Sequence, residues 1–187
     1  MFLLVGLGNP GDQFKNTRHN IGREIVYAFQ KKHALEDFRF EKKWNARVLE
    51  GKVEKEKVAL LLPDTMMNNS GKAVAPAARF FKIKPAHILV FHDDADIALG
   101  NAKLSFGKNA AGHKGVESLI RALKTKDFWR FRIGIAGLRD IPAEKLVLKK
   151  FTPAEQASVK KLVKKTVETA ANAIQDTPEL AMNTYNR

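Results

Sequence analysis

Phe2-Leu3-Leu4-Val5-Gly6-Leu7-Gly8-Asn9-Pro10-Gly11, followed shortly by Thr17-Arg18-His19-Asn20-Ile21-Gly22, is the stretch from which the fold is read. A short, continuous apolar run closed by glycine is the pattern of a buried strand. Glycines and Pro10 then turn the chain sharply, and His19 appears between Arg18 and Asn20. A turn leaving a buried strand is where α/β proteins place ligand chemistry, so His19 is the first candidate for a base.

Outward from this stretch, apolar Ile21, Ile25, Ala28 and Phe29 predict a helix over 21–35. Strands are expected at Arg47–Glu50 and Lys57–Leu62, joined through the charged segment 51–56, with Pro63 closing the second. Asp64 to Gly71 reads as a polar loop, and a helix from Ser70 to Phe81 is ended by the Lys84-Pro85 step. Ile88–Phe91 is a further buried strand leading into a loop, His92-Asp93-Asp94-Ala95-Asp96. A strand at Lys103–Phe106 precedes a basic, glycine-bearing loop over 107–115. Val116, Leu119, Ile120 and Leu123 lie on one helical face. Phe131–Ile135 is another strand, and Thr152-Pro153-Ala154-Glu155 is a capping box with proline at the first helical position. It opens a long helix with Val159, Leu162, Val163, Val167, Ala171 and Ile174 along one side, and a last helix runs from Pro178 to Arg187. Strands alternate with helices without a flexible linker or repeat. The expectation is one α/β domain over 1–187, a three-layer fold with a mixed central sheet flanked by helices.

The chain has 187 residues, enough to bury roughly 70% of its unfolded surface. There is no cysteine, which removes disulfides, thiolate metal sites and a cysteine nucleophile. No basic segment precedes the first apolar run, which is too short for a signal peptide, and no stretch has the length of a membrane span. A cytoplasmic protein without a membrane partner is expected. Net charge is +13, from 33 Lys and Arg against 20 Asp and Glu, which points to a polyanionic partner. Residues 101–132 concentrate this charge, with eight Lys and Arg against two acids. The loop over 107–115 also leads into a helix N-terminus, a favourable place for phosphate. Lys160, Lys161, Lys164 and Lys165 read as a solvated face of the long helix.

Gly6-Leu7-Gly8-Asn9-Pro10-Gly11 matches the spacing of a dinucleotide fingerprint. The fingerprint needs a helix opening at its glycines, whereas the helical pattern here begins near Ile21, so no cofactor is expected. His19 and Asp93 each follow a buried strand. An aspartate beside an imidazole N–H fixes the tautomer and stabilises the ring once it takes a proton. Histidine and aspartate without an obvious serine or cysteine nucleophile suggest a base acting on water. His92-Asp93-Asp94-Ala95-Asp96 has a rival reading as a metal site. Adjacent strand side chains point to opposite faces, however, so His92 and Asp93 would not converge. Asp94 and Asp96 fit turn hydrogen bonds. Asn9, Asn68 and Asn69 could hold water or a substrate carbonyl, although Asn69 also suits a helix cap.

Taken together, Val5–Gly11, Thr17–Gly22, Met67-Asn68-Asn69-Ser70-Gly71-Lys72-Ala73-Val74, His92–Asp96, Gly112-His113-Lys114-Gly115 and Arg132-Ile133-Gly134-Ile135 resemble the bacterial-type peptidyl-tRNA hydrolases in order and spacing. The resemblance implies hydrolysis of the ester joining a peptide to the terminal ribose of tRNA. It also implies a monomeric mixed-sheet fold and no metal. By resemblance His19 is the general base, Asp93 keeps that base able to accept a proton, Asn9 separates blocked from free aminoacyl groups, and Asn68 holds the substrate end. Three positions depart from the family pattern. Phe14 stands where Tyr is usual, Met66 for a usual Phe, and Lys114 for a usual Asn; lysine cannot accept a hydrogen bond. Lys103, Lys108, Lys114 and Arg132 are the expected contacts to the tRNA, with Phe14, Met66 and Asn68 near its end. A non-catalytic RNA-binding protein and a metal-dependent phosphoesterase are the alternatives.

Overall fold

All five residues of the first strand, β1 (Phe2–Gly6), are buried, because β1 lies inside a seven-stranded sheet covered on both faces. The computed structural model describes residues 1–137 and 141–186. In chain order the further elements are α1 (Ile21–Lys32), β2 (Arg39–Glu41), β3 (Ala46–Val53), β4 (Glu56–Pro63), α2 (Gly71–Phe80), β5 (Ile88–Ala98), β6 (Ala102–Phe106), α3 (Lys114–Leu123), β7 (Trp129–Ala136), α4 (Ala143–Leu146), α5 (Pro153–Gln175) and α6 (Pro178–Tyr185). Short 3-10 turns cover Asp12–Phe14, Arg18–Asn20, Met67–Asn69 and Pro85–His87.

The sheet order is β2-β3-β4-β1-β5-β7-β6. The central pairs β4–β1, β1–β5 and β5–β7 are parallel, and β2–β3, β3–β4 and β7–β6 are antiparallel. The sheet is therefore mixed, and the fold is a three-layer α/β domain as expected. Strand alternation divides the core. Leu4, Leu60, Leu89, Phe91 and Phe131 pack with α1, α5 and α6, whereas Leu3, Val5, Leu61, Ile88 and Val90 pack with α2 and α3.

Several boundaries differ from expectation for physical reasons. The segment 51–56 is mostly strand, because Lys52 and Lys57 oppose each other on exposed positions and only Glu54-Lys55 turns. Glu54 takes the left-handed backbone conformation there, φ 52°. Helix α1 stops at Lys32, and Ala34 turns the chain with φ 48°. The edge strand β2 is short and mostly exposed and has no apolar signature. Segment 92–96 is not a loop: β5 continues through it to Ala98 against β7. Its partner β1 ends at the Gly6–Phe91 pair, with Leu7 N–H donating to the Phe91 carbonyl at 3.0 Å. Polar residues 92–94 are tolerated because they overhang the end of β1, where the site forms. Arg187, the expected end of the last helix, lies outside the described residues.

The same crossing brings α1 to the site. Gly22 lies where a Cβ would collide with the Phe91 carbonyl oxygen and the Leu7 backbone. Its lack of a side chain lets the start of α1 touch the ends of β1 and β5. The turn Arg18–Asn20, immediately before, is thereby set beside Asp93.

Candidate active site

His19 Nδ1 lies 2.8 Å from Asp93 Oδ1, and His113 Nε2 lies 3.0 Å from the same oxygen. The proton positions follow from the surrounding network. His113 is the N-cap of α3, and its Nδ1 accepts from the backbone N–H groups of Gly115 and Val116 at 3.1 and 3.3 Å. Nδ1 therefore carries no proton, and Nε2–H donates to Asp93. His19 Nδ1–H donates to the same carboxylate. This leaves His19 Nε2 as a lone pair with no protein partner among the described residues.

Asp93 is almost fully buried. Burial alone would push its carboxyl up, but the electrostatic attraction and hydrogen bond of the His113 N–H, then those of the His19 N–H, outweigh it. They hold Asp93 well below the ordinary carboxylate range, so it remains an anion that can stabilise a protonated His19. His92 points to the other face of β5, as the pleat requires, and its Nδ1–H donates to the Asp93 carbonyl at 2.7 Å. Burial lowers the pKa of His92 well below that of a free histidine.

Asn9 is held from three directions. Its backbone N–H donates to Asn20 Oδ1 at 2.8 Å, and its carbonyl accepts from Asn20 Nδ2 at 2.9 Å. Asn9 Oδ1 accepts from Met67 N–H at 2.8 Å. Only the carboxamide NH₂ is left to act on a ligand. Gly11, at φ 102°, allows the chain to turn away immediately after Asn9, into the Asp12–Phe14 turn.

These groups open onto a cleft of about 360 Å³ whose walls include Asn9, His19, Asp93, His113, Lys114 and Leu148. No hydroxyl or thiol side chain lines it among the described residues. Of the expected site residues, the structure brings together His19, Asp93, Asn9 and Lys114. Phe14, Met66 and Asn68 are not on the cleft wall; Met66 and Asn68 are exposed on the neighbouring turn. Ser70, rather than Asn69, precedes α2, and Ser70 Oγ donates to the Met67 carbonyl. Lys103 and Lys108 are exposed beyond the cleft, on β6 and the following loop. Arg132 lies opposite Lys103 in the sheet, but its Nε donates to Asp94 Oδ2 at 2.7 Å, so its charge is compensated. Asp94 also accepts from Asp96 N–H, the turn hydrogen bond expected for this pair.

His113, Asn20 and Arg18 were not singled out from the sequence for any role. His113 could have been found as a capping-competent side chain at the start of a helical period. Arg18 is buried and donates to both Glu155 carboxylate oxygens, at 2.8 and 2.7 Å, and to the Ile135 carbonyl. The backbone N–H groups of Arg18 and His19 donate to Lys149 and Val147, tying the histidine to the segment that closes the cleft.

Metal chemistry can be weighed on the donor set. His92, Asp93 and Asp96 do not converge, so the motif 92–96 is no ligand cluster. His19, Asp93 and His113 do converge, with one ligand atom from each within 4.8 Å of the others. His113 fits a cation poorly, because the backbone donors on Nδ1 keep its proton on Nε2, the atom that would have to bind. The contacts among the three are hydrogen bonds in length and direction.

The model of the family "Peptidyl-tRNA hydrolase" matches residues 3–187. A peptidyl-tRNA hydrolase of Clostridium botulinum is 37% identical over 186 residues, covering 100% of this chain and 97% of the relative. One from Roseiflexus sp. is 40% identical over 190 residues, covering 100% and 86%. Among solved structures, the peptidyl-tRNA hydrolase of Acinetobacter baumannii superposes with a TM-score of 0.92 at 32% identity, covering 100% of this chain and 94% of that one.

Proposed function

The chain belongs to the peptidyl-tRNA hydrolase family and is a hydrolase of the ester bond of peptidyl-tRNA; we propose that His19 is the base that activates water in that reaction. The observation that carries this is the His19–Asp93 pair at 2.8 Å on the wall of a cleft without a hydroxyl or thiol nucleophile. Nε2 of His19 takes a proton from water as its oxygen adds to the ester carbonyl. Charge then develops on the carbonyl oxygen, and the free NH₂ of Asn9 and the ammonium of Lys114 are the donors on the cleft wall. The intermediate collapses with cleavage of the bond to the ribose oxygen. That oxygen receives the proton held by His19, giving a free tRNA 3′ end and a peptide carboxylate. Asp93 remains ionised throughout and orients the ring.

The tRNA is bound, in this proposal, by the basic segment 101–132. Lys114 is at the cleft, and Lys103 and Lys108 continue the exposed charge outward. Arg132 acts through Asp94 rather than as a free cation. Phe14, Met66 and Asn68 are proposed to meet the tRNA end, where Phe14 can stack but offers no hydroxyl. We further propose that the protein works in the cytoplasm as a monomer and needs no metal; no helix among the described residues is long and apolar enough to cross a membrane.

Purified peptidyl-tRNA with and without chelator is the test. Equal cleavage in both conditions supports the proposal. Cleavage lost with chelator would point to a metal enzyme. Salt-sensitive binding without cleavage would point to an RNA-binding protein.

A further inference from the structure

Strand β6 closes one side of the sheet, and no strand among the described residues pairs with its outer edge. That edge is nevertheless met at Leu104. Asn186 Nδ2 donates to the Leu104 carbonyl at 2.9 Å, and the Leu104 N–H donates to Asn186 Oδ1 at 2.7 Å. We propose that Asn186 completes this edge as a neighbouring strand would and is thereby a positioning residue that holds Lys103 in place for the tRNA. The proposal rests on the tRNA being bound by the basic segment 101–132.

A carboxamide offers the same donor and acceptor as a peptide group. Exchange of both bonds with one residue reproduces the hydrogen-bonded pair of an antiparallel ladder. The Leu104 N–H and carbonyl face away from β7, so without Asn186 both would stand open at the sheet edge. The two bonds also fix which way the amide points, because the N–H can meet only its oxygen and the carbonyl only its nitrogen.

The preceding residue delivers Asn186 to this place. Tyr185 is buried, and its hydroxyl donates to Thr166 Oγ1 at 2.6 Å, since the Thr166 proton goes to the Leu162 carbonyl. The Tyr185 ring meets Phe131 edge-on, with centroids 5.4 Å apart. Phe131 is the β7 partner of Leu104. The end of α6 therefore grips β6 and β7 at a single rung.

The next rung pairs Lys103 with Arg132. Arg132 is tied to Asp94. Lys103 is exposed and lies one residue from the start of β6, where a strand end frays most easily. Anchoring Leu104 keeps its neighbour Lys103 in the ladder. A cation that must first be ordered binds more weakly than one already held. Loss of the anchor should therefore fall on tRNA binding and spare the ester chemistry at His19.

The experiment compares two substrates with the same N-acetylated aminoacyl ester, one on full-length tRNA and one on the trinucleotide CCA. The ratio of their kcat/KM values is taken within each enzyme preparation, so a partly unfolded fraction cancels. Asn186→Ala is expected to lower the ratio by about two- to tenfold, the range of one net hydrogen bond, through KM for the tRNA and with kcat unchanged. Asn186→Asp keeps the acceptor for the Leu104 N–H and loses the donor to its carbonyl, and should give a smaller drop. In Lys103→Ala, adding Asn186→Ala should lower the ratio no further, because the asparagine acts through the lysine. A wild-type ratio in both Asn186 variants overturns the proposal. Equal losses on the two substrates, or a full additional loss in the double variant, also overturn it and leave Asn186 a purely structural contact. If Lys103→Ala itself keeps the wild-type ratio, the tRNA is not bound at β6, and that reading fails together with this one.

Discussion

His113 caps helix α3 with one ring nitrogen and hydrogen-bonds Asp93 at 3.0 Å with the other. The helix thus fixes the tautomer that faces the carboxylate, and the carboxylate in turn fixes His19. Replacing His113 removes a helix cap and one of two donors to a buried anion.

His113→Ala is therefore expected to lower stability by about 1–2 kcal/mol, the usual range for a lost cap, and to lower kcat on the order of tenfold. Without one of its donors, Asp93 rises toward the ordinary carboxylate range, so the acid side of the kcat–pH profile shifts. Denaturant unfolding and that profile check the two effects separately. A stability loss without any change in the profile would reduce His113 to a cap.

Arg18→Met should be more damaging to folding than its neighbour's role in chemistry suggests. Arg18 and Glu155 are linked by a bidentate pair, with Arg18 buried and stacked over Phe151 at 4.7 Å. Removing one partner of a buried pair destabilises by roughly 3 kcal/mol. The double variant Arg18→Met/Glu155→Gln should recover part of the loss in urea unfolding, because it leaves no unpaired charge. No recovery would mean that packing on Phe151 carries the effect.

Glu24 makes the stability of the fold pH-dependent. Its carboxyl is raised from 4.5 to about 7 in the folded state, so the folded protein holds a proton that the unfolded chain releases. This contribution is fully present below about pH 4.5 and is lost as pH rises through 7. The shift corresponds to at most about 3 kcal/mol. Glu24→Gln should flatten the fall in melting temperature between pH 5 and pH 8. An equally steep fall in the variant would place the titrating group elsewhere.

Lys103→Ala and Lys108→Ala are expected to weaken tRNA binding uniformly and to reduce the salt slope of log K by close to one unit each, roughly one released counterion per lost phosphate contact. Arg132→Ala should change that slope less, since its charge is already met by Asp94. Binding titrations at several salt concentrations distinguish them. Equal slopes for all three variants and wild type would move the tRNA away from β6.

Much of this was legible in the sequence where local chemistry decides local structure. Phe2–Val5 announces a buried strand because both of its faces are covered. Thr152-Pro153-Ala154-Glu155 announces a helix start, and both reciprocal hydrogen bonds of its capping box form. What was illegible depends on partners distant in the chain. The extension of β5 through His92–Asp94 is supported by β7, not by apolar content. Glu155 closes its own cap and also grips Arg18, 137 positions away. In sequence His113 is one residue of a basic loop; its role comes from α3 on one side and Asp93 on the other. The edge strand β2, with three mostly exposed residues, carries too little burial to mark its sequence.

The central claim is that His19 activates water in the ester hydrolysis. Its most direct measurement is single-turnover cleavage of purified peptidyl-tRNA by His19→Ala, with tRNA binding measured on the same preparation. A rate lower by about 10²–10⁴ with binding retained is the expected result for a lost general base. Cleavage at the wild-type rate would contradict it.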